Sequence, residues 1–258
     1  MIEERAFVPS PPLRPWITEI RVLSMAASPP RTLTRLPNGT SSIVLCTRHG
    51  GTHVVATGPT MRASYKPAEA VPLYARFVFR PGSARAFLRV ALHELTDRVV
   101  SIDEIWGQNG ARWRERLEGG SLEKTIGTLE AALLEQLDPK RVEPWRERLV
   151  RRAVHELEGA PHVPLSEVAA RLGVAERRFR QVFREEIGLS PKRFARIARI
   201  RRVLAKAGHA AWARLALEAG FFDQAHLVAE FRDLLGVAPT SFLAGDLPSR
   251  TACGVGSA

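Results

Sequence analysis

Between Glu176 and Arg184 the chain reads ERRFRQVFR. On a helix of 3.6 residues per turn, Arg177, Arg180 and Gln181 fall opposite an apolar face made by Phe179, Val182 and Phe183. A guanidinium on such a polar face donates two parallel hydrogen bonds to O6 and N7 of a guanine, and a carboxamide pairs in the same way with N6 and N7 of an adenine. Arg178 and Arg184 suit phosphate oxygens or simple solvation, and phosphate contacts set register without reading sequence. From Glu176 to Lys206 there are eleven Lys and Arg against three Asp and Glu, a balance of +8 in a chain whose formal charge is +11. The basic surface is therefore local, and a polyanion is the partner it suits.

A helix that presents these side chains needs a scaffold behind it, and an internal repeat supplies one. Phe183-Arg184 falls on Phe231-Arg232, Gly188 on Gly236, Pro191 on Pro239 and Phe194 on Phe242, all at an offset of 48, while Ala169 meets Ala216 and Gly173 meets Gly220 at 47. Each copy reads as a helix, a turn marked by glycine, a second helix and a Gly-x-x-Pro stop. The small Ala169 and Ala216 sit where two crossing helices approach closely. Two such helix-turn-helix units joined by one helix, Pro191 to about Lys206, place two recognition helices in successive major-groove segments on one face of a duplex. A generic helical repeat is the competing reading, but two copies are too few for a solenoid.

Upstream the pattern is different. Ile17 to Leu23, Ser42 to Cys46, His53 to Ala56 and Leu73 to Phe79 read as short strands separated by Pro37-Asn38-Gly39, Gly50-Gly51 and Gly58-Pro59. A small β barrel or sandwich accommodates them. Helical spacing follows at Ser83 to Leu92 and Ala111 to Leu117, with Trp106-Gly107 between them. In Ser121 to Leu137, Leu122, Ile126, Leu129, Leu133 and Leu137 form one stripe, suited to packing in its own domain or to dimerisation. Asp138-Pro139 and the charged segment up to Arg148 mark a boundary. The expectation is an α+β chain: residues 1–140 a β-rich sensory or dimerisation domain with helices after about 83, residues 141–245 an all-α domain with two helix-turn-helix units, and residues 246–258 a disordered tail.

Other chemistry has less support. At 258 residues and 45% hydrophobic the chain builds two ordinary cores. Cys46 and Cys253 are too few for a disulfide framework, and no leader or membrane span is evident, so a cytoplasmic location is expected. His49 and His53 lie near Cys46, and a cupin-like metal enzyme with an appended DNA-binding domain is the alternative from another class. The HxH pattern with a downstream carboxylate and histidine is missing, as are GxSxG, a Walker loop and GxGxxG. No enzyme activity, cofactor or metal is expected. Binding to duplexes of any sequence is the remaining alternative, with a steep salt dependence and no preferred site.

The strings AARLGVAERRFRQVFREEIGLSPKRF and LALEAGFFDQAHLVAEFRDLLGVAPTSF, within about Val163 to Leu243, resemble the AraC family of bacterial transcription activators. The second is the more specific, because its G-F, D-Q-A-H, E-F-R and G-V-x-P elements stand in family order and spacing. Leu36-Pro37-Asn38-Gly39, Phe79-Arg80-Pro81-Gly82, Glu94-Leu95-Thr96-Asp97 and Trp106-Gly107 are similar to the N-terminal domain of an uncharacterised subgroup of that family. The resemblance implies double-stranded DNA as partner, with Arg177, Arg180 and Gln181 at the base-reading places of the first unit. In the second unit the matching places fall on Gln224, Ala225, His226, Val228 and Ala229, of which Gln224 and His226 offer donors. Asp223 is expected to cap its helix. Ala175 stands where the family places a capping Ser or Thr. A cupin-like domain that binds a small-molecule effector or makes a homodimer, and contact with RNA polymerase, are implied by analogy. A branch with a reactive-cysteine repair domain is set aside, since its cysteine cluster is absent.

Overall fold

The computed structural model describes residues 2–25, 32–48, 51–67, 73–117, 122–160, 163–208 and 211–248. Eight strands come first: β1 (Ile2–Phe7), β2 (Ile17–Met25), β3 (Thr32–Arg35), β4 (Ser42–Arg48), β5 (Gly51–Thr57), β6 (Ser64–Pro67), β7 (Leu73–Phe79) and β8 (Val99–Ser101). Ten helices follow: α1 (Ile102–Trp106), α2 (Gln108–Arg116), α3 (Leu122–Gln136), α4 (Pro144–Gly159), α5 (Leu165–Arg171), α6 (Glu176–Ile187), α7 (Pro191–Lys206), α8 (Trp212–Glu218), α9 (Gln224–Leu235) and α10 (Pro239–Ala244). The chain is thus α+β, with strands leading and helices following.

Six strands form an antiparallel sheet in the order β1-β2-β7-β4-β5-β8, and β3 pairs with β6 in a separate ribbon. Alternation sets one face of the large sheet inward. Ile20, Val22, Ile43, Leu45, Val54, Ala56, Ala75 and Phe77 are all buried on it, and α1 to α3 cover it through Trp106, Trp113, Leu129 and Leu133. Phe87 anchors the cover: its ring stacks on Phe79 at 5.1 Å, and its carbonyl accepts a hydrogen bond from Trp106 Nε1 at 3.0 Å.

One expectation changes here, and one choice between two readings is decided. Ser83 to Leu92 is not an α-helix: 3-10 turns at Ala84–Ala86 and Leu92–Leu95 flank an irregular stretch. Ala84, Ala86, Phe87, Leu88, Leu92 and Leu95 are all buried, so the segment lacks the solvated face that makes apolar spacing diagnostic of a helix. The leucine stripe of α3 is also committed. Ile126, Leu129 and Leu133 lie in the core, with Leu122 and Leu137 packed against it, which leaves the stripe no face for dimerisation.

The second core lies among α4 to α9, and it includes Ala63 and Tyr65 from the ribbon segment. α4 begins at Pro144, inside the charged segment read as a boundary, because proline fits the first helical position without loss of a hydrogen bond. The repeat recurs in three dimensions. Phe183 meets Phe194 edge-on at 5.4 Å, and Phe231 meets Phe242 edge-on at 5.7 Å. It also extends further upstream than the aligned strings. Arg146 of α4 bonds Glu185 of α6 just as Arg193 of α7 bonds Asp233 of α9, so α4 and α7 are equivalent supports.

The candidate nucleic-acid interface

α6 and α9 are the second helices of the two units, and each ends on a glycine in the left-handed region, Gly188 at φ +89° and Gly236 at φ +76°. α6 buries Phe179, Val182, Phe183, Glu186 and Ile187, and this inner face fixes which side chains point outward. Arg177, Arg178, Arg180, Gln181 and Arg184 are all exposed. Positions 177, 180, 181 and 184 follow i, i+3, i+4 and i+7, so they form one stripe.

Within that stripe the arginines are differently engaged. Arg177 and Arg184 make no side-chain hydrogen bond or ion pair among the described residues. Arg180 Nε donates to Glu176 Oε1 at 2.8 Å, one turn back. An exposed i,i+4 pair contributes only about 0.3–0.5 kcal/mol, whereas a bidentate contact to the right base contributes about 1–3 kcal/mol of discrimination. Arg180 therefore exchanges the carboxylate for a guanine at small cost. Gln181 Nε2 donates to Glu185 at 2.9 Å.

Arg178 borders this stripe, its Nη1 donating to Gln181 Oε1 at 3.4 Å. Its guanidinium lies 5.2 Å from the centre of the Trp145 ring, and Arg146 lies 5.3 Å from the same ring. Trp145 Nε1 is held by Glu143 at 2.7 Å. The aromatic support was not apparent from the sequence, where Trp145 stands in a charged stretch read as a boundary.

Arg146 continues inward. It donates to Glu185 at 2.5 Å and to Glu186 at 3.3 Å, and Arg85 reaches Glu186 from the β-rich half at 2.8 Å. The Arg146 hydrogen bond holds the Glu185 carboxyl below the usual glutamate range. On α9, burial pushes the Asp233 carboxyl up, but hydrogen bonds from Arg196, Arg193 and Arg62 outweigh that and leave it low.

The outward face of α9 carries Gln224, Ala225, His226 and Ala229, all exposed, with Val228 half-buried. Asp223 caps the helix, accepting from the His226 N–H at 2.7 Å, as expected. The His226 ring meets Phe221 edge-on at 5.3 Å, and its Nε2 lies 3.9 Å from Glu230, so the imidazole folds back on its own turn. Phe222, in the turn before α9, is 87% exposed and was not singled out by the sequence reading.

Ala175, the residue before α6, has the extended geometry of a cap (φ −63°, ψ 140°) but no side-chain bond to give. Ala175→Ser is expected to raise stability by about 0.5–2 kcal/mol, read as an upward shift in thermal midpoint.

One family description, "Helix-turn-helix domain", matches residues 168–245, a span that holds α6, α7, α8 and α9. By this domain the chain is a DNA-binding transcription regulator of the helix-turn-helix kind. A second description, "Domain of unknown function (DUF6597)", matches residues 5–101, which contain every strand of the large sheet except the first half of β1. No curated protein matches the chain in sequence. Among solved structures, ToxT from Vibrio cholerae O395 is similar over 94% of this chain and 97% of its own, at 10% identity and a TM-score of 0.44. The C-terminal domain of AraT, a response regulator from Geobacillus stearothermophilus, covers 43% of this chain and 93% of its own at 19% identity and a TM-score of 0.37. A probable AraC family transcriptional regulator from Rhodopseudomonas palustris covers 39% and 99% at 24% identity and a TM-score of 0.33.

Among the described residues, no three His, Cys, Asp or Glu side chains gather as a metal site, and no helix is long and apolar enough to cross a membrane. His49, Cys253 and the tail from residue 249 lie outside the described residues.

Proposed function

We propose that this regulator reads specific duplex sequences mainly through α6, with Arg177, Arg180 and Gln181 on base edges and Arg178 and Arg184 on phosphates. The observation that carries this reading is the exposed stripe of positions 177, 180, 181 and 184, in which Arg177 and Arg184 make no side-chain bonds among the described residues. A guanidinium with no protein partner gives up nothing but water on meeting DNA. Gln224 reads from α9, where it is exposed at the first turn, while His226 contributes once its ring turns outward. Unit two is the weaker reader.

In this reading residues 1–140 form a sensory or dimerisation part, and residues 141–245 form the DNA-binding part. The strong contact between them, through Arg85 and Glu186 among others, gives a small-molecule effector bound upstream a route to α6. The protein acts in the cytoplasm as a regulator and not as an enzyme, and RNA polymerase is its further partner. Selection of bound duplexes from a random pool tests the reading. A preferred site is expected, with Arg177→Ala and Arg180→Ala each relaxing preference at particular positions by about 1–3 kcal/mol. Equal weakening on every duplex, with only the salt slope changed, points instead to phosphate contacts.

A further inference from the structure

Residues 58–65 run from the end of one recognition helix to the end of the other. At α6, a β-carbon on Gly188 would lie 2.7 Å from the Leu92 carbonyl oxygen and 3.0 Å from Pro59 Cγ, and the Gly188 carbonyl accepts from Thr96 Oγ1 at 3.0 Å. At α9, the Ala63 N–H donates to the Leu234 carbonyl at 2.7 Å, and the Tyr65 hydroxyl donates to the Leu235 carbonyl at 2.6 Å. Arg62 pairs with Asp233 at 2.8 Å. Between these two ends, Arg193 at the start of α7 donates to the Met61 carbonyl at 2.9 Å.

The last carbonyls of a helix have no partner within it. In both units the β-rich half supplies one, and at nearly the same place: at an offset of 48, Ile187 and Gly188 correspond to Leu235 and Gly236. A single chance contact would not reproduce the repeat.

The segment is held firmly from behind. Asn38 and Thr60 exchange backbone hydrogen bonds of 2.9 Å, the Met61 N–H donates to Asp97 Oδ1 at 2.7 Å, and the Asp97 N–H donates to the Pro59 carbonyl at 2.9 Å. Asp97 has φ +58°, a left-handed conformation that non-glycine residues keep only where the surroundings impose it. Gly58 has no room for a side chain, since a β-carbon there would lie 2.0 Å from the Leu95 carbonyl oxygen. Gly39 presses on the ring of Phe194 in α7. The Leu36-Pro37-Asn38-Gly39 and Glu94-Leu95-Thr96-Asp97 motifs therefore gather around this one segment.

We propose that residues 58–65 are a spacer that fixes the separation and angle of α6 and α9, so that the protein accepts its two contacted DNA segments at one separation. Tyr65, Thr96 and Asp97 are positioning residues for DNA reading, and none of them touches DNA. The proposal rests on the reading that both units engage one duplex. Seven extended residues, 59–65, reach at most about 25 Å, which sets an upper bound on the separation of the two anchor points.

The test uses the full chain and the duplex recovered from the random pool, remade with one or two base pairs added or removed between the two protected segments. The unaltered protein is expected to lose about tenfold or more in affinity on each respaced duplex. A Tyr65→Phe/Thr96→Val variant removes both hydroxyl bonds with little change in shape. It should select the same bases within each segment yet discriminate several-fold less between separations. Should that variant fail to fold, Arg62→Gln, at a side chain 69% exposed, should shift the same ratio in the same direction by a smaller factor. Unchanged discrimination in a folded variant overturns the spacer, as does protection of a single segment, and both results leave sequence reading by α6 intact. A pool that returns no preferred sequence overturns the reading of function itself.

Discussion

Leu129→Asp is expected to yield no folded protein, where a surface position would yield a soluble one. Leu129 is fully buried in α3, packed within the core beneath the six-stranded sheet. Truncating a buried leucine alone costs about 2–5 kcal/mol. The carboxylate adds several kcal/mol more, because an ion placed in an apolar core without a partner loses its hydration and gains nothing in exchange. The sum is comparable to the whole stability of an ordinary domain, about 5–15 kcal/mol. Soluble yield and far-ultraviolet circular dichroism are the measurements. A folded, monomeric Leu129→Asp protein would contradict the buried placement and return the stripe to a dimer interface.

Arg146→Met should cost about 3–5 kcal/mol, the usual consequence of removing one partner from a buried ion pair. The Arg146 side chain is 13% exposed and Glu186 only 3%, so after the change Glu186 keeps Arg85 as its one ion-pair partner among the described residues. Arg146→Met/Glu186→Gln should recover only part of the loss, since it removes a buried carboxylate left half-compensated but also gives up the Arg85 pair. Denaturant titration of the three proteins measures both effects.

A pH dependence accompanies this prediction. Glu185 has its folded-state pKa depressed by the Arg146 hydrogen bond, so the unfolded chain binds a proton more readily than the folded one. Its contribution is present above the ordinary glutamate range and is lost as pH falls through the depressed value. Arg146→Met lacks that contribution at every pH. The gap between the original protein and the variant should therefore narrow on acidification.

Local chemistry made some of this legible in the sequence. The four strands with β-branched or aromatic runs were placed well, and the offset of 48 located both recognition helices. β3 and β6 have four residues each and β8 has three, too short for alternation to register. The buried 3-10 region around Phe87 mimicked a helix because its apolar spacing had no polar face to contradict it. For the interface, the outward arginines of α6 followed from Phe179, Val182 and Phe183 alone. What could not be read was the company they keep. Trp145 lies 33 positions from Arg178, and Tyr65 lies 170 from Leu235, and only a folded chain brings such pairs together. The motifs at Leu36 and Glu94 were visible as strings, but their meeting at residues 58–65 depends on strand pairing across the whole β-rich half.

The helix α7 closes the first unit and opens the second, and it runs sixteen residues without interruption. An α-helix advances about 1.5 Å and turns about 100° with each residue. Its length is therefore an angular setting as well as a distance. Loss of one residue would swing α9 by more than a quarter of a revolution about the α7 axis relative to α6. Substitutions on the exposed side of α7 leave that setting alone. A change in its length redirects α9, so the helix tolerates new side chains far better than it tolerates a new number of residues.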